Sequence, residues 1–327
     1  MAEFIGRRVS VGVGTETTRG TAVAPSYWFR HLSLSFGRKT TAIQNESAMG
    51  RVEKINDSAI VSQWAEGQLE GKVTDIGVGY LLSNIFGTVE SKTKTGDTGV
   101  YEHSFTINQL QTPPTMTIAR KDPNSDRRHA LGTLSQMELS VEAGDWVKVN
   151  CDILAKMGTD TSNTVAFIEE NEFTSRNLSV KMANDEAGLA TAAPVACKSF
   201  KMTLNRNATT YLACNDSIDI TDIHTGAYEL TGEMVLIYTN QDWENKYYNN
   251  TAQAMEVNIE NKQVQIGTKS HPGLKIKAPK VRVSEWSTSN DLDAVIEQTL
   301  SFSIELDATK GKAIEAVLTN TKANYNA

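Results

Sequence analysis

The sequence predicts an all-β protein with a few short helices, built from two similar halves. Two observations predict this class. Apolar and polar residues alternate along many short segments, and the order of these segments in the first half recurs in the second. The abundance of Thr, Val, Ile and aromatic residues also favours strands. Polar stretches such as 91–99 and 158–164 separate the segments, as turns do.

The predicted strands follow one another along almost the whole chain. Every second residue in them is apolar, which places one face of each strand on a core and the other in solvent. The alternating apolar residues are Val9, Val11 and Val13; Leu32, Leu34 and Phe36; Tyr101, His103, Phe105 and Ile107; Met137, Leu139 and Val141; Val147, Val149, Cys151 and Ile153; Leu178, Val180 and Met182; Phe200, Met202 and Leu204; Leu274 and Ile276; Val281 and Val283; Leu300, Phe302, Ile304 and Leu306.

Three short segments have helical spacing instead. Residues 75–86 and 240–248 each carry apolar residues four positions apart, and Gly87 would end the first of these helices. Residues 309–322 contain a short amphipathic stripe. We therefore expect one short helix beside each half and a third helix near the C-terminus.

The second half of the sequence repeats the order of the first. Residues 9–39 align with 178–207, and GQLEGKV at 67–73 aligns with YELTGEM at 228–234. Such a duplication predicts two tandem β-barrel or β-sandwich domains, because repeated sequence order implies a repeated structural unit. The expected divisions are domain 1 at 5–157 with a long polar loop at about 37–62, a linker at 158–171, domain 2 at 172–320, and terminal arms at 1–4 and 321–327.

Composition excludes several classes of protein. The 39 acidic residues outnumber the 32 basic ones, and the net charge of −7 argues against a protein that grips nucleic acid through its phosphates. No apolar run approaches the roughly 18 residues of a spanning helix, and no secretory signal is visible at the start. Three cysteines without CxxC spacing predict neither a disulfide framework nor a zinc site. We expect the chain to fold in a reducing cytoplasm.

The usual motifs of catalysis are missing from the sequence. It contains no P-loop, no dinucleotide fingerprint and no G-x-S-x-G elbow, and its five histidines are scattered. The aspartates Asp216, Asp219 and Asp222 alternate with strand-type residues and do not match a calcium loop. We therefore expect no catalytic residues, no cofactor and no metal, and the protein is not expected to be an enzyme.

The opening residues carry a resemblance to a known family. A short strand leads into a G-x-E-x-x-x-G-T-A turn and then into an aromatic segment. This start resembles that of phage tail tube proteins from long, non-contractile tails, and the architecture is similar over nearly the whole chain. The residues that carry the resemblance are Gly14, Glu16, Gly20, Thr21, Ala22, Tyr27, Trp28 and Phe29.

The resemblance implies a structural role in the virion. Tail tube subunits form rings, and the rings stack into a tube through which genomic DNA and the tape measure protein pass. Most members place six single-domain subunits in a ring, so a duplicated chain implies three subunits with pseudo-sixfold symmetry. The implied partners are further copies of the chain, the tape measure protein, and the tail terminator and tail tip proteins, with no membrane and no specific DNA binding. Assembly would occur in the bacterial host cytoplasm.

A conduit for DNA should have a neutral or acidic bore, because like charges repel phosphate. The polar faces of several predicted strands are candidates for that bore. For each strand the outer surface is the alternative, because alternation gives a face and not its direction. The candidate lumen-facing residues are Glu66, Gln68, Glu70, Glu138, Glu142, Glu229, Thr231, Glu233 and Glu305.

The loop at 37–62 is the candidate contact between rings. In the family the equivalent loop reaches the adjacent ring, and here it contains Met49, Val52 and Ile55. The two terminal arms are expected to become ordered when rings stack.

Other functions stay open from the sequence. A β-sandwich binding module of carbohydrate or adhesin type could use the five tryptophans as stacking platforms. Another tail part, such as a contractile-tail tube or a terminator, is a third possibility.

Overall fold

The computed structural model describes residues 3–110, 112–289 and 291–326, and β-strands dominate it, as predicted. The first-half strands are β1 (Ser10–Thr15), β2 (Tyr27–Phe29), β3 (His31–Leu34), β4 (Gly37–Asn45), β5 (Asp57–Lys72), β6 (Gly87–Thr93), β7 (Tyr101–Ile107), β8 (Met116–Lys121), β9 (Asp126–Glu142), β10 (Lys148–Ala155) and β11 (Thr159–Asp160). The second-half strands are β12 (Leu178–Ala183), β13 (Pro194–Val195), β14 (Cys197–Asn205), β15 (Thr209–Tyr211), β16 (Asp222–His224), β17 (Glu229–Ile237), β18 (Gln253–Glu260), β19 (Gly273–Thr288), β20 (Glu297–Ile304) and β21 (Glu315–Asn320).

Two of the three expected helices form. Helix α1 (Gly77–Phe86) is buried along most of its length and ends at Gly87, whose φ of 79° is the left-handed conformation that favours glycine. Helix α2 (Asp242–Tyr248) packs its Trp243 and Tyr247 side chains against the core. Within the ranges that the structure describes, no helix is long and apolar enough to cross a membrane.

The prediction of a helix at 309–322 was wrong. Residues 315–320 form strand β21, which pairs with β19 on one side and with β7 on the other. The alternate residues Ala316, Leu318 and Asn320 are buried. A short apolar stretch fits the period of a helix as well as that of a strand. Here, pairing with two neighbouring strands decides in favour of a strand.

The long polar loop expected at 37–62 is a β-hairpin. Strand β4 pairs with the first part of β5 from Gly37 opposite Glu66 to Asn45 opposite Asp57. Only the tip, residues 46–56, lacks strand structure. Most side chains on both faces of this hairpin are exposed, so no apolar alternation marked its strands in the sequence.

Eight antiparallel strands form one continuous sheet across both halves of the chain. Their order is β3, β5, β10, β9, β14, β17, β20, β19. One face of this sheet is buried, and the other is polar except at one end, where Leu154 packs against a small second hydrophobic cluster. The long strands β9 and β19 leave it at one end and continue into outer sheets, where they pair with β8 and β18.

The two halves pair their strands in the same order. In the first half β2, β1, β8, β9 and β11 are neighbours, and in the second β13, β12, β18, β19 and β21 are. The eight-stranded sheet, called the inner sheet below, repeats as well. Its strands β3, β5, β10 and β9 in the first half correspond in order to β14, β17, β20 and β19 in the second. Each helix follows the matching strand, β5 or β17.

Several contacts join the halves. Strand β9 pairs with β14, and β21 inserts between β19 and β7. Asp97 accepts hydrogen bonds from the backbone N–H groups of residues 268–270, which lie in the other half. Hydrogen bonds from Ser270, Thr268 and Lys269 hold the pKa of Asp97 below its usual range.

Of the C-terminal segment 321–327, expected as an arm, Tyr325 packs on its own chain, and residue 327 lies outside the described ranges. The Tyr325 side chain is 1% exposed and donates a hydrogen bond to the Ile76 carbonyl oxygen at 2.9 Å. Its ring meets those of Tyr80 and His103 edge-on. Of the N-terminal arm 1–4, Glu3 and Phe4 are exposed, and residues 1 and 2 lie outside the described ranges.

Gly232→Ala is expected to destabilise the protein by about 1–3 kcal/mol, because overpacking forces the neighbouring groups to move. A Cβ atom at Gly232 would lie 2.2 Å from the ring of Phe302. The matched control is Gly71→Ala at the corresponding position of the first half, where the nearest atom would be 3.4 Å away. Urea unfolding of both variants measures the difference, and equal losses of stability would contradict this packing.

Candidate functional site

The polar face of the eight-stranded sheet extends across both halves of the chain. Its rows cross from one half to the other without a break. One row is all polar from β3 to β19. In order, its members are Ser33, Glu70, Asn150, Glu138, Thr203, Thr231, Ser303 and Arg282.

The structure brings the candidate lumen residues together on this face. The row next to the first one runs through Gln68, Asp152, Gln136, Asn205 and Glu229. The strand period of two then places the remaining candidates on the same face. They are Glu66 on β5, Glu142 on β9, Glu233 on β17 and Glu305 just after β20.

The opposite face of the sheet explains why these polar residues share one side. The alternate residues Leu69, Met137, Leu204, Leu230 and Phe302 are all buried in the main hydrophobic core. A shift of one residue in any strand would exchange the two faces, so burial of the apolar set fixes the direction of the polar set.

Three of the candidate carboxylates are neutralised in part by cations on the same chain. Glu138 pairs with Lys201 at 2.8 Å across the β9–β14 junction. Glu305 pairs with Lys280 at 2.8 Å and with Arg282 at 3.1 Å, and the hydrogen bond from Lys280 lowers its pKa. Glu66 pairs with Lys39 at 3.8 Å and also accepts a hydrogen bond from the Trp64 indole at 2.7 Å.

The other acidic candidates retain more of their charge. Glu229 and Glu233 are exposed, and neither makes an ion pair within the part of the chain that the structure describes. The hydrogen bond and ion pair with Asp145 raise the pKa of Lys148, and Glu70 and Glu142 add smaller electrostatic effects. The face therefore carries a mixed charge in which acidic residues predominate.

Sequence reasoning missed part of this face. Asp152 lies in the polar row between Gln68 and Gln136, and Lys201 lies beside Glu138. Their even spacing along β10 and β14 was available as a signal. What was missing was the order of the strands, which makes these residues neighbours.

The expected contact loop lies at the tip of the β4–β5 hairpin. Met49 is 72% exposed, Val52 is 99% exposed and Ile55 is 49% exposed. Ile43 and Ile60, lower on the same hairpin, are also exposed. Exposed apolar side chains are therefore grouped on this hairpin.

The C-terminal end of the segment 158–171, expected as a linker, packs on the first half of the chain. Glu170 accepts hydrogen bonds from the Tyr27 hydroxyl at 2.7 Å and from the Gly77 N–H at the start of α1. Burial raises the pKa of Glu170. Asp75 similarly accepts two hydrogen bonds from Asn171.

The tryptophans do not form an exposed platform. Trp28 is buried, and Trp64 donates its indole N–H to Glu66. The rings of Trp146 and Trp243 are covered by lysine ammonium groups 3.8 and 4.0 Å from their centroids. Trp286 is half-buried and donates a hydrogen bond to Gln298.

His129 is expected to make the fold sensitive to acid. Burial lowers its pKa to about 4, and Arg127 and Arg120 add to this. The unfolded chain therefore binds more protons between pH 6.5 and 4, so stability is complete above pH 6.5 and falls by about 3 kcal/mol towards pH 4. Urea titrations across this range should show a flatter curve for His129→Gln. Identical pH dependence in both proteins would contradict the assignment.

A family model described as "Phage tail tube protein" matches residues 6–308. No curated protein matches the chain. Among solved structures, the chain is similar to the hybrid structure of the SPP1 tail tube by solid-state NMR and cryo EM, with 11% identity and a TM-score of 0.32 over 47% of this chain and 81% of that one. Because the family model spans most of its length, this chain belongs to the phage tail tube protein family.

Proposed function

We propose that this structural protein assembles into stacked rings, and that the resulting tube conducts genomic DNA out of the virion. The observation that carries the proposal is the polar face of the eight-stranded sheet, which is unbroken across both halves. Such a sheet, continued from subunit to subunit, would enclose a bore lined by polar side chains and surrounded by the hydrophobic core.

Three chains form each ring in this proposal. The chain consists of tandem domains at 5–157 and 172–320 with a linker at 158–171, and each domain supplies four strands of the inner sheet. Since neighbouring strands lie about 4.8 Å apart, 24 strands give a circumference of about 115 Å and a diameter of about 37 Å before strand tilt widens it. A bore of this size admits a DNA duplex, and six similar domains surround it.

The charge of the face suits a conduit that must not retain DNA. Glu70, Glu229 and Glu233 would repel phosphate, and the ion pair of Glu138 with Lys201 would keep that cation from attracting it. The candidate lumen residues, including Gln68, Glu142, Thr231, Glu66 and Glu305, all lie on this face. DNA and the tape measure protein then pass along it without specific binding.

The other partners follow from the two ends of a ring. The hairpin tip with Met49, Val52 and Ile55 would contact the next ring, which lets identical rings stack. The last rings would contact the tail terminator and tail tip proteins. Assembly takes place in the host cytoplasm and the product is the virion tail.

Charge reversal on the polar face tests this proposal. Glu70→Lys with Glu233→Lys is expected to leave tubes intact but to slow DNA ejection, because each ring gains positive charge that binds phosphate. The matched control is Glu90→Lys with Glu244→Lys, since both residues lie off the eight-stranded sheet. Electron microscopy checks assembly, and dye release from DNA-filled virions measures ejection. Normal ejection through assembled variant tubes would remove these residues from the bore.

A further inference from the structure

The pairing of β9 with β14 is a junction between two similar units inside one chain. Seven residue pairs join the strands, from Ser199 opposite Glu142 to Asn205 opposite Gln136. The turn after β9 adds backbone hydrogen bonds, from the Ala143 N–H to the Lys198 carbonyl and from the Ser175 N–H to the Asp145 carbonyl. This junction shows how the end of one unit fits the start of the next.

Each of the two strands in that junction has a counterpart in the other half of the chain, and each counterpart has an unpaired edge. Strand β3 corresponds to β14, and in the described ranges it pairs only with β5. The end of β19, residues 283–288, corresponds to the end of β9 and pairs only with β20 in those same ranges. Each therefore presents an unpaired edge, which is a template for another strand.

The clefts beside the two corresponding strands differ in a way that fits a missing partner. In the second half, a cleft of about 360 Å³ lies beside the start of β14, and the end of β9 with the following Ala143 forms one of its walls. In the first half, the matching cleft beside β3 is about 730 Å³ and has no such wall. Both clefts are bordered by a 3₁₀ turn, residues 175–177 and residues 6–8.

The open cleft and the free end of β19 are complementary in charge. Arg7, Arg8, Arg30 and Arg120 line the cleft. Arg120 has a buried Nε atom without a hydrogen-bond partner within the structure as described. Glu285 lies on the free edge of β19, and Asp291 and Asp293 follow in the next turn.

Their apolar surfaces match as well. Phe29, Leu32 and Phe167 line the cleft, and Leu32 is 54% exposed. In the turn after β19, Leu292 is fully exposed and Val295 is 67% exposed. Residues of the corresponding turn, 143–147, lie against the second half in the internal junction.

We propose that β3 and its cleft receive the β19 edge of a second copy of the chain, in the register of the internal junction. Glu138 lies opposite Thr203 inside the chain, so Arg282 of one copy lies opposite Ser33 of the next. The contact is head-to-tail, leaves one free edge at each end of a pair, and closes when the rotation completes a ring. This inference rests on the proposed assembly into rings and specifies its subunit contact.

Disulfide trapping tests the register. Ser33→Cys with Arg282→Cys, in a background of Cys197→Ser and Cys214→Ser, is expected to give a ladder of linked chains after oxidation. Cys151 is fully buried and stays unreactive. The positive control is Thr203→Cys with Glu138→Cys, which should link within one chain. The register control is Ser33→Cys with Ser287→Cys, because these positions would lie more than about 10 Å apart and could not form a disulfide.

The outcomes separate the contact from the tube. A ladder from the Ser33 and Arg282 pair alone supports the contact, whether or not tubes form. Rings or tubes visible by electron microscopy that give no ladder, while the internal control oxidises, would overturn the contact and leave the tube proposal standing. Leu292→Asp with Val295→Asp gives a second readout, since loss of rings from a folded monomer is expected, and unchanged rings would overturn the contact.

Discussion

Replacing residues 46–56 with an Asn-Gly turn is expected to abolish tube formation while the subunit stays folded. The hairpin tip contains Met49, Val52 and Ile55, which contact no core and are strongly exposed. Removing them takes away the apolar surface that holds one ring on the next in the proposed tube. Shortening a surface connection between paired strands changes the unfolding free energy little, by about 1 kcal/mol. Electron microscopy and urea unfolding measure the two effects.

A milder variant separates surface chemistry from hairpin length. The triple change Met49→Ser, Val52→Ser and Ile55→Ser should also prevent stacking. The matched control replaces Leu110 and Leu306 with serine, because these leucines are similarly exposed but lie away from the hairpin tip. Tubes of normal length from the triple variant would show that the tip does not hold the rings together.

Tyr325→Ala is expected to cost about 3–5 kcal/mol of stability, as for other large buried aromatic side chains. The ring fills the space above Gly79, where an added Cβ atom would lie 2.1 Å from it. Its hydroxyl also accepts a hydrogen bond from Asn320 at 2.7 Å. The residue thus ties the last residues of the chain to α1 in the first half. Urea unfolding measures the loss.

Two further substitutions make this result specific. Tyr325→Phe keeps the ring and loses only the hydroxyl contacts, so a cost of about 1–2 kcal/mol is expected. Tyr248→Ala removes a tyrosine that is 69% exposed and should change stability by less than about 0.5 kcal/mol. If Tyr325→Ala unfolded like the wild type, the C-terminus would be a free arm, as the sequence alone suggested.

Much of the fold was predictable because it depends on local alternation. The strands with one buried face, such as β10 and β20, and both helices were found from their periods. Strand β21 was not, since its apolar residues fit a helix equally well and only pairing with β7 and β19 decides between them. The β4–β5 hairpin was missed for a different reason, because neither of its faces is buried along most of its length.

The candidate site was predictable in its parts and not in its arrangement. Alternation identified Glu70 and Glu233 as members of polar faces. Only the order of the strands in the structure shows that both residues lie on one sheet. Pairing also brings Lys201 to Glu138 from a distant part of the chain, which changes the charge of the face. No pattern within either strand contains this contact.

The number of chains in one ring is the most direct test of the proposed assembly. Negative-stain electron microscopy of the purified protein over a concentration series, combined with the mass of isolated rings, gives this number. We predict hollow rings or tubes with three chains per ring and six similar densities around the bore. Rings of six chains would contradict the duplicated inner sheet as the unit of the bore, and a monomer at every concentration would contradict self-assembly.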